Sequence, residues 1–308
     1  MSEYSDRIRK EFGEGDAIRD ANFTTPDEIE RFDDIRYGAD DEYNLLDVYR
    51  PKALAGKKLP VIMNIHGGAW VYGDKGVYQF YMMDLAKRGF AAVNFSYRLA
   101  PERKFPAQIE DICAVFRWIE DNVDRYGLDT GNIFAVGDSA GAHLLGLFAG
   151  LYSDPYCMKV LKEKYPSAEF SIHSRENSPG TLKAVALNCG KYDLAMGDEA
   201  DTDTPVLLKD FMSEGGSPEE ISIADVTRYV TPSYPQVFLM TCPGDFLKYQ
   251  APFMADVLLA NSVPFIYRVY GSAKDPLHHV FHCNPSLESA KVCNDDECAF
   301  FKSLSHTP

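Results

Sequence analysis

The sequence predicts an α/β fold: a mostly parallel sheet flanked by helices, in a single domain spanning residues 1–308. Three observations carry this expectation. Short, near-continuous apolar runs recur along the chain, amphipathic segments separate them, and glycines stand where several of the runs end. Strands buried on both faces lose the apolar–polar alternation of half-exposed strands, so continuous runs point to parallel strands between helical layers. No internal repeat or linker divides the chain.

The first thirty-odd residues are polar and helical, without a strand to pack on. "ERFDDIRYGA" and "YNLLDVYRP" read as an antiparallel pair at one sheet edge. "LPVIMNIHG" and "FAAVNFSYR" are the first buried strands. "IEDICAVFRWIEDNV" then has helical period, with Ile109, Ile112, Val115, Phe116 and Ile119 on one face. "NIFAVG" is a strand running into a helix through "AHLLGLFAGLYS". "LKAVALNCG", "QVFLMTCPG" and "PFIYRVYG" are further strands, and a helix around "ESAKVCNDDECAFFKSL" follows them. Residues 191–235 interrupt the alternation with short helices in "PVLLKDFMS" and "SPEEISIADVTRYV". Insertions of this length between strands are usually functional, so this segment and residues 1–35 are expected to form a cap over the strand ends.

A net charge of −15 excludes nucleic acid and anionic membrane as partners, since both require basic surface. No apolar run approaches the roughly 18 residues of a membrane span, and the charged start "MSEYSDRIRKEFGEGD" is unlike a secretory signal. The seven cysteines are scattered, with no CxxC pair. They read as free thiols of a cytoplasmic protein, with neither a disulfide framework nor a metal site expected.

The chemistry centres on "AVGDSAGAHL", where Ser139 lies between Gly137 and Gly141 at a strand-to-helix junction. A nucleophile elbow requires small residues two before and two after the serine, because the turn brings backbones close together. Backbone amides for an oxyanion hole are expected from Gly67 and Gly68 of "NIHGGAW", together with Ala140. His66 is read as ordering that loop. The general base should follow the last strand, where His278, His279 and His282 stand together and position alone does not separate them. His143, His173 and His306 read as structural or solvated. Asp245, after the strand "VFLMTCPGD", is favoured as the orienting acid over Asp275, which would have to turn back tightly within the histidine loop. Serine, acid and histidine then stand in the chain order of an α/β-hydrolase triad.

"HGGAW", "SYRLAPERKFP", "GDSAGAHL" and "GDFL…HHVF" together resemble the hormone-sensitive-lipase-like α/β-hydrolase esterases over residues 35–285. The resemblance implies an eight-stranded sheet with a helical cap, no cofactor, and carboxylester hydrolysis through an acyl-enzyme on Ser139; short-chain acyl esters are the substrates expected. It assigns the acid to Asp245 and the base to His279, and makes Tyr97–Glu102 a brace for the strand end. Family members often pair through the last strand and helix, which implies a homodimer. Trp70, Tyr72 and Phe211 are expected in the substrate pocket. Ala69 replaces the family's third glycine, so activity on bulky tertiary-alcohol esters is not implied. A non-glycine and Trp after HGG also resembles arylformamidases, which makes small amides an alternative substrate. Acetylated carbohydrates are a further alternative, and a silent ligand-binding protein is the alternative of another class.

Overall fold

The computed structural model describes residues 2–170, 172, 180–197 and 204–305. His173 and His306 lie outside them. The strands are β1 (Ile29–Arg36), β2 (Leu45–Pro51), β3 (Leu59–Ile65), β4 (Ala91–Phe95), β5 (Leu128–Asp138), β6 (Leu182–Asn188), β7 (Gln236–Thr241) and β8 (Phe265–Val269). They form one sheet in the order β1-β2-β4-β3-β5-β6-β7-β8. β1–β2 and β2–β4 pair antiparallel and every other neighbour is parallel. This is the eight-stranded α/β-hydrolase fold expected, with the antiparallel pair at one edge.

The helices are α1 (Glu3–Asp20), α2 (Lys75–Lys87), α3 (Ala107–Asp121), α4 (Val123–Tyr126), α5 (Ala140–Ser153), α6 (Pro155–Lys164), α7 (Thr204–Phe211), α8 (Pro218–Ile223), α9 (Gln250–Ala260) and α10 (Glu288–Leu304). Val61, Met63 and Ile65 of β3 face a core with α3 and α5, whereas Ile62 faces a core with α2 and α10. Period-2 side chains thus feed both layers from one apolar run. The α3 face read from the sequence is buried throughout. All seven cysteines are buried free thiols.

Sequence periodicity did not reveal α2, α6 or α9. α2 buries Tyr78, Tyr81, Met82, Met83, Leu85 and Ala86, an apolar set too broad to read as a stripe. α1 is tied to α7 by Ser2 Oγ and Ser5 Oγ, which donate to Asp210 Oδ2 at 2.6 and 2.5 Å. It is tied to the β3–α2 loop by Arg9 Nε on the Val71 carbonyl at 2.7 Å, and by Tyr72 Oη on Asp16 Oδ2 at 2.8 Å.

Candidate active site

β5 delivers Ser139 to the sheet's carboxyl edge at φ 53° and ψ −120°, and α5 begins at the next residue. A non-glycine residue at positive φ in such a turn signals stored strain. The flanking glycines are obligatory: a Cβ on Gly141 would lie 2.0 Å from the Ile65 carbonyl oxygen, and one on Gly137 2.7 Å from that of Gly141. Ser139 N donates to the Asn188 carbonyl at 3.0 Å, which pins the turn to the end of β6.

Of the three loop histidines, the structure brings His279 to the serine. Its Nε2 lies 2.9 Å from Ser139 Oγ and its Nδ1 2.7 Å from Asp245 Oδ1. With Nδ1 protonated, Nε2 is left to accept the serine proton. Asp245, 1% exposed, also accepts from Leu247 N at 2.8 Å and Thr241 Oγ1 at 3.0 Å. Burial pushes its carboxyl up, but the His279 contact and these donors outweigh it and hold the group below the ordinary range. Asp275 is exposed and closes a local turn with Ser272. His278 is exposed, and His282 is fully buried beneath the loop, where burial lowers its pKa to about 3.

The β3–α2 loop corrects one assignment. The Gly67 N–H donates to Tyr78 Oη at 2.9 Å, and that hydroxyl donates to Asp138 Oδ2 at 2.8 Å. The Gly67 amide is therefore engaged and does not face an oxyanion. Gly68, at φ 110°, opens a turn in which Val71 N and Tyr72 N return to its carbonyl at 3.1 and 2.9 Å. Within that turn Ala69 and Trp70 both adopt left-handed backbone, at φ 52° and 62°. The N–H groups of Gly68 and Ala69 meet no acceptor among the described residues. Ala140, as the first residue of α5, has no intrahelical acceptor either. The open Ala69 amide carries no sequence signal, because glycine content marks only its neighbours.

His66 orders this loop, as expected. It is fully buried, stacks on Tyr97 with ring centroids 4.0 Å apart, and its carbonyl accepts from Tyr97 Oη at 2.9 Å. Glu102, at the end of the same motif, pairs with Arg9 of α1 at 2.7 Å. His143 accepts from Trp70 Nε1 at 3.2 Å and donates through Nε2 to the Ala224 carbonyl at 2.8 Å. Burial holds it neutral, with a pKa of about 4.

Two adjoining cavities open on Ser139 and His279. One, of about 420 Å³, is lined by Tyr4, Ile8 and Phe12 of α1, Leu207 of α7, and Ala69 and Trp70. The other, of about 360 Å³, is lined by Phe12, Gly68, Tyr72 and Val280 among others. Trp70 and Tyr72 therefore face the site. Phe211 does not: it is fully buried behind Trp70, stacked at 4.6 Å and wedged against Phe105.

Among curated proteins, the chain is 32% identical to esterase LipC of Mycobacterium tuberculosis over 52% of its own length and 36% of the relative's. It is 29% identical to esterase LipQ of the same organism over 84% and 59%. It thus spans less than two thirds of each of these relatives. Bovine arylacetamide deacetylase is 35% identical over 42% of this chain and 36% of its own. Esterase B of Lactobacillus rhamnosis superposes with a TM-score of 0.85 at 24% identity, covering 98% of this chain and 95% of that one. The Pyrobaculum calidifontis esterase gives 0.75 at 22%, covering 99% and 95%. The resemblance to hormone-sensitive-lipase-like esterases is borne out at the level of family and fold. The BD-FAE family model matches residues 46–247, more than half of the sequence, and the chain belongs to that family.

Proposed function

We propose that this chain is a serine carboxylesterase acting on short-chain acyl esters, with Ser139 as nucleophile, His279 as base and Asp245 as orienting acid. The observation that carries the reading is the continuous relay of 2.9 and 2.7 Å contacts from Ser139 through His279 to Asp245, at the floor of a cavity. His279 Nε2 takes the serine proton as Oγ attacks the ester carbonyl. Asp245 holds the tautomer and stabilises the imidazolium. The N–H groups of Gly68, Ala69 and Ala140 bind the oxyanion, each donor contributing on the order of 10²–10³ in rate. The alcohol leaves with the proton from His279, and water then repeats the sequence to free the acid.

α1 and the segment containing α7 act as the cap. Their side chains line the cavity beside Ser139, leaving restricted room for an acyl chain. A small-amide reading is favoured by one finding, the likeness to a protein named an arylacetamide deacetylase. We place the protein in the cytoplasm as a homodimer paired through β8 and α10. No described helix is long and apolar enough to cross a membrane.

The test is hydrolysis of p-nitrophenyl acetate, butyrate, octanoate and laurate, wild type beside Ser139→Ala. Turnover of the short esters that disappears in the variant is expected. Folded wild type that hydrolyses none of the four overturns the ester reading and turns the assay to aryl acetamides and formamides.

A further inference from the structure

We propose that Cys189, Asp245 and His279 form a binding site for a soft divalent cation of the zinc class, and that its occupancy switches the enzyme off. Among the described residues, these three are the one group of histidine, cysteine and acidic side chains whose ligand atoms converge, all lying within 4.8 Å of one another. Cys189 directly follows β6 in left-handed backbone, φ 47°, which brings its thiol beside the acid–base pair. There Sγ contacts Met240 Sδ at 3.8 Å and shares a hydrogen bond with the Cys242 thiol, weak sulfur contacts that a bound cation would replace. The hydrolytic relay does not use this thiol.

Thiolate, imidazole and carboxylate are zinc's preferred donors, whereas magnesium and calcium want oxygen alone. Metal–ligand bonds of about 2.0–2.3 Å in a tetrahedral site set ligand atoms roughly 3.3–3.8 Å apart. Nδ1 and Oδ1, now 2.7 Å apart, would spread slightly to admit the ion, and the thiol would close in. Of the three, His279 alone lines the cavities, so the ion would enter past its ring. Thiolate and carboxylate together neutralise the cation's charge.

The step balances simply. The cation bonds to Sγ, Oδ1 and Nδ1, and the thiol proton leaves to solvent. The Nδ1 proton passes, by way of water, to Nε2, so that Nε2 donates toward Ser139 instead of accepting its proton. The nucleophile loses its base, and removing the cation restores it.

The binding arm of the test does not depend on catalysis, while the inhibition arm rests on the esterase reading. Co²⁺ titrated into Ser139→Ala protein should give a thiolate-to-cobalt charge-transfer band that Zn²⁺ displaces and that vanishes when Cys189→Ser is added. Cys189→Ala serves as the second variant if the serine form does not fold. In active protein, Zn²⁺ should inhibit ester hydrolysis reversibly to a chelator. Loss of even an outer partner lowers metal affinity about 10–100-fold, so Cys189→Ser should raise the half-inhibiting Zn²⁺ concentration by at least that factor while leaving basal turnover near wild type. A cobalt–thiolate band that survives both Cys189 variants, or equal zinc sensitivity of wild type and variants, overturns the site. A Cys189-dependent band in protein inactive on all esters supports the site and overturns the esterase reading instead.

Discussion

Removing the Tyr78 hydroxyl, as Tyr78→Phe, should damage both stability and rate, because that one oxygen serves two buried groups. It accepts the Gly67 N–H at 2.9 Å and donates to Asp138 Oδ2 at 2.8 Å. Phenylalanine fills nearly the same volume, so the change isolates the hydrogen bonds from packing. Each of the two orphaned buried groups costs about 1–3 kcal/mol, which gives an expected loss of about 2–6 kcal/mol of unfolding free energy. Surface substitutions usually stay within about 0.5 kcal/mol. The loss should also depend on pH. Burial pushes the Asp138 carboxyl up to about 6 while the Tyr78 donation opposes it. A raised carboxyl pKa means that the native state keeps a proton the unfolded chain has released. Its stability contribution is therefore present at low pH and is lost as pH rises toward the folded value. Without the donor the folded pKa climbs further, so the deficit of the variant should be larger above that value than below it. Gly67 leads into the amides proposed to bind the oxyanion, and misplacement by about 1 Å can cost roughly 10²-fold. We expect kcat to fall about 10–100-fold with KM little changed. Urea unfolding on both sides of the Asp138 titration, with ester kinetics, measures all three effects. A variant within about 0.5 kcal/mol of wild type at both pH values, with unchanged kcat, refutes the reasoning.

Asp245→Asn should lower kcat by about 10⁴ with the fold intact, whereas Asp275→Asn, at an exposed turn, should leave ester hydrolysis unaltered; equal effects would dissolve the assignment. His279→Ala should be inactive and His278→Ala near wild type in the same assay. His282→Ala, at a fully buried position, should lower the melting temperature more than the rate. Arg9→Ala removes the guanidinium from the Val71 and Ala100 carbonyls. It should reduce kcat severalfold, and circular dichroism should show the remaining fold unchanged. Burial holds His66 and His143 near 4 and His282 near 3. The unfolded chain therefore binds protons these histidines refuse, and stability should fall as pH drops from about 6.5 toward 4, as read from denaturant midpoints.

The inner strands were legible because burial on both faces leaves them almost no polar positions, and β3, β5 and β6 stand out as apolar runs. α2 was not, for the same reason turned around: packed on the sheet in a core shared with α10, it buries too much of its circumference for a stripe to survive. In the candidate site, Ser139 was legible because its turn demands small residues at fixed spacing, and that demand is written locally. His279 was not separable by residue reasoning from His278 and His282, since which of three neighbours reaches back to β5 depends on the path of an irregular loop. The Gly67 error has the same root. Its N–H is engaged by Tyr78, whose orientation depends on Asp138, and that chain of bonds joins three segments that no local pattern links. Phe211 looked like a pocket residue because it is aromatic and lies in the insertion, yet Trp70 stands between it and the cavity.

These failures share a physical cause that bears on how the site is built. The amides proposed to bind the oxyanion sit in a loop with two consecutive left-handed non-glycine residues, a conformation the local sequence does not favour. Something outside the loop must hold it. Tyr78 and Asp138 secure it from below, His66 and Tyr97 from behind, and Arg9 and Asp16 of α1 from above. α1 lines the cavity and also grips the loop, so substrate access and oxyanion geometry depend on the same helix. A change that loosened α1 should therefore alter kcat together with chain-length preference. A cap that acted only as a cover would alter the preference and leave kcat untouched.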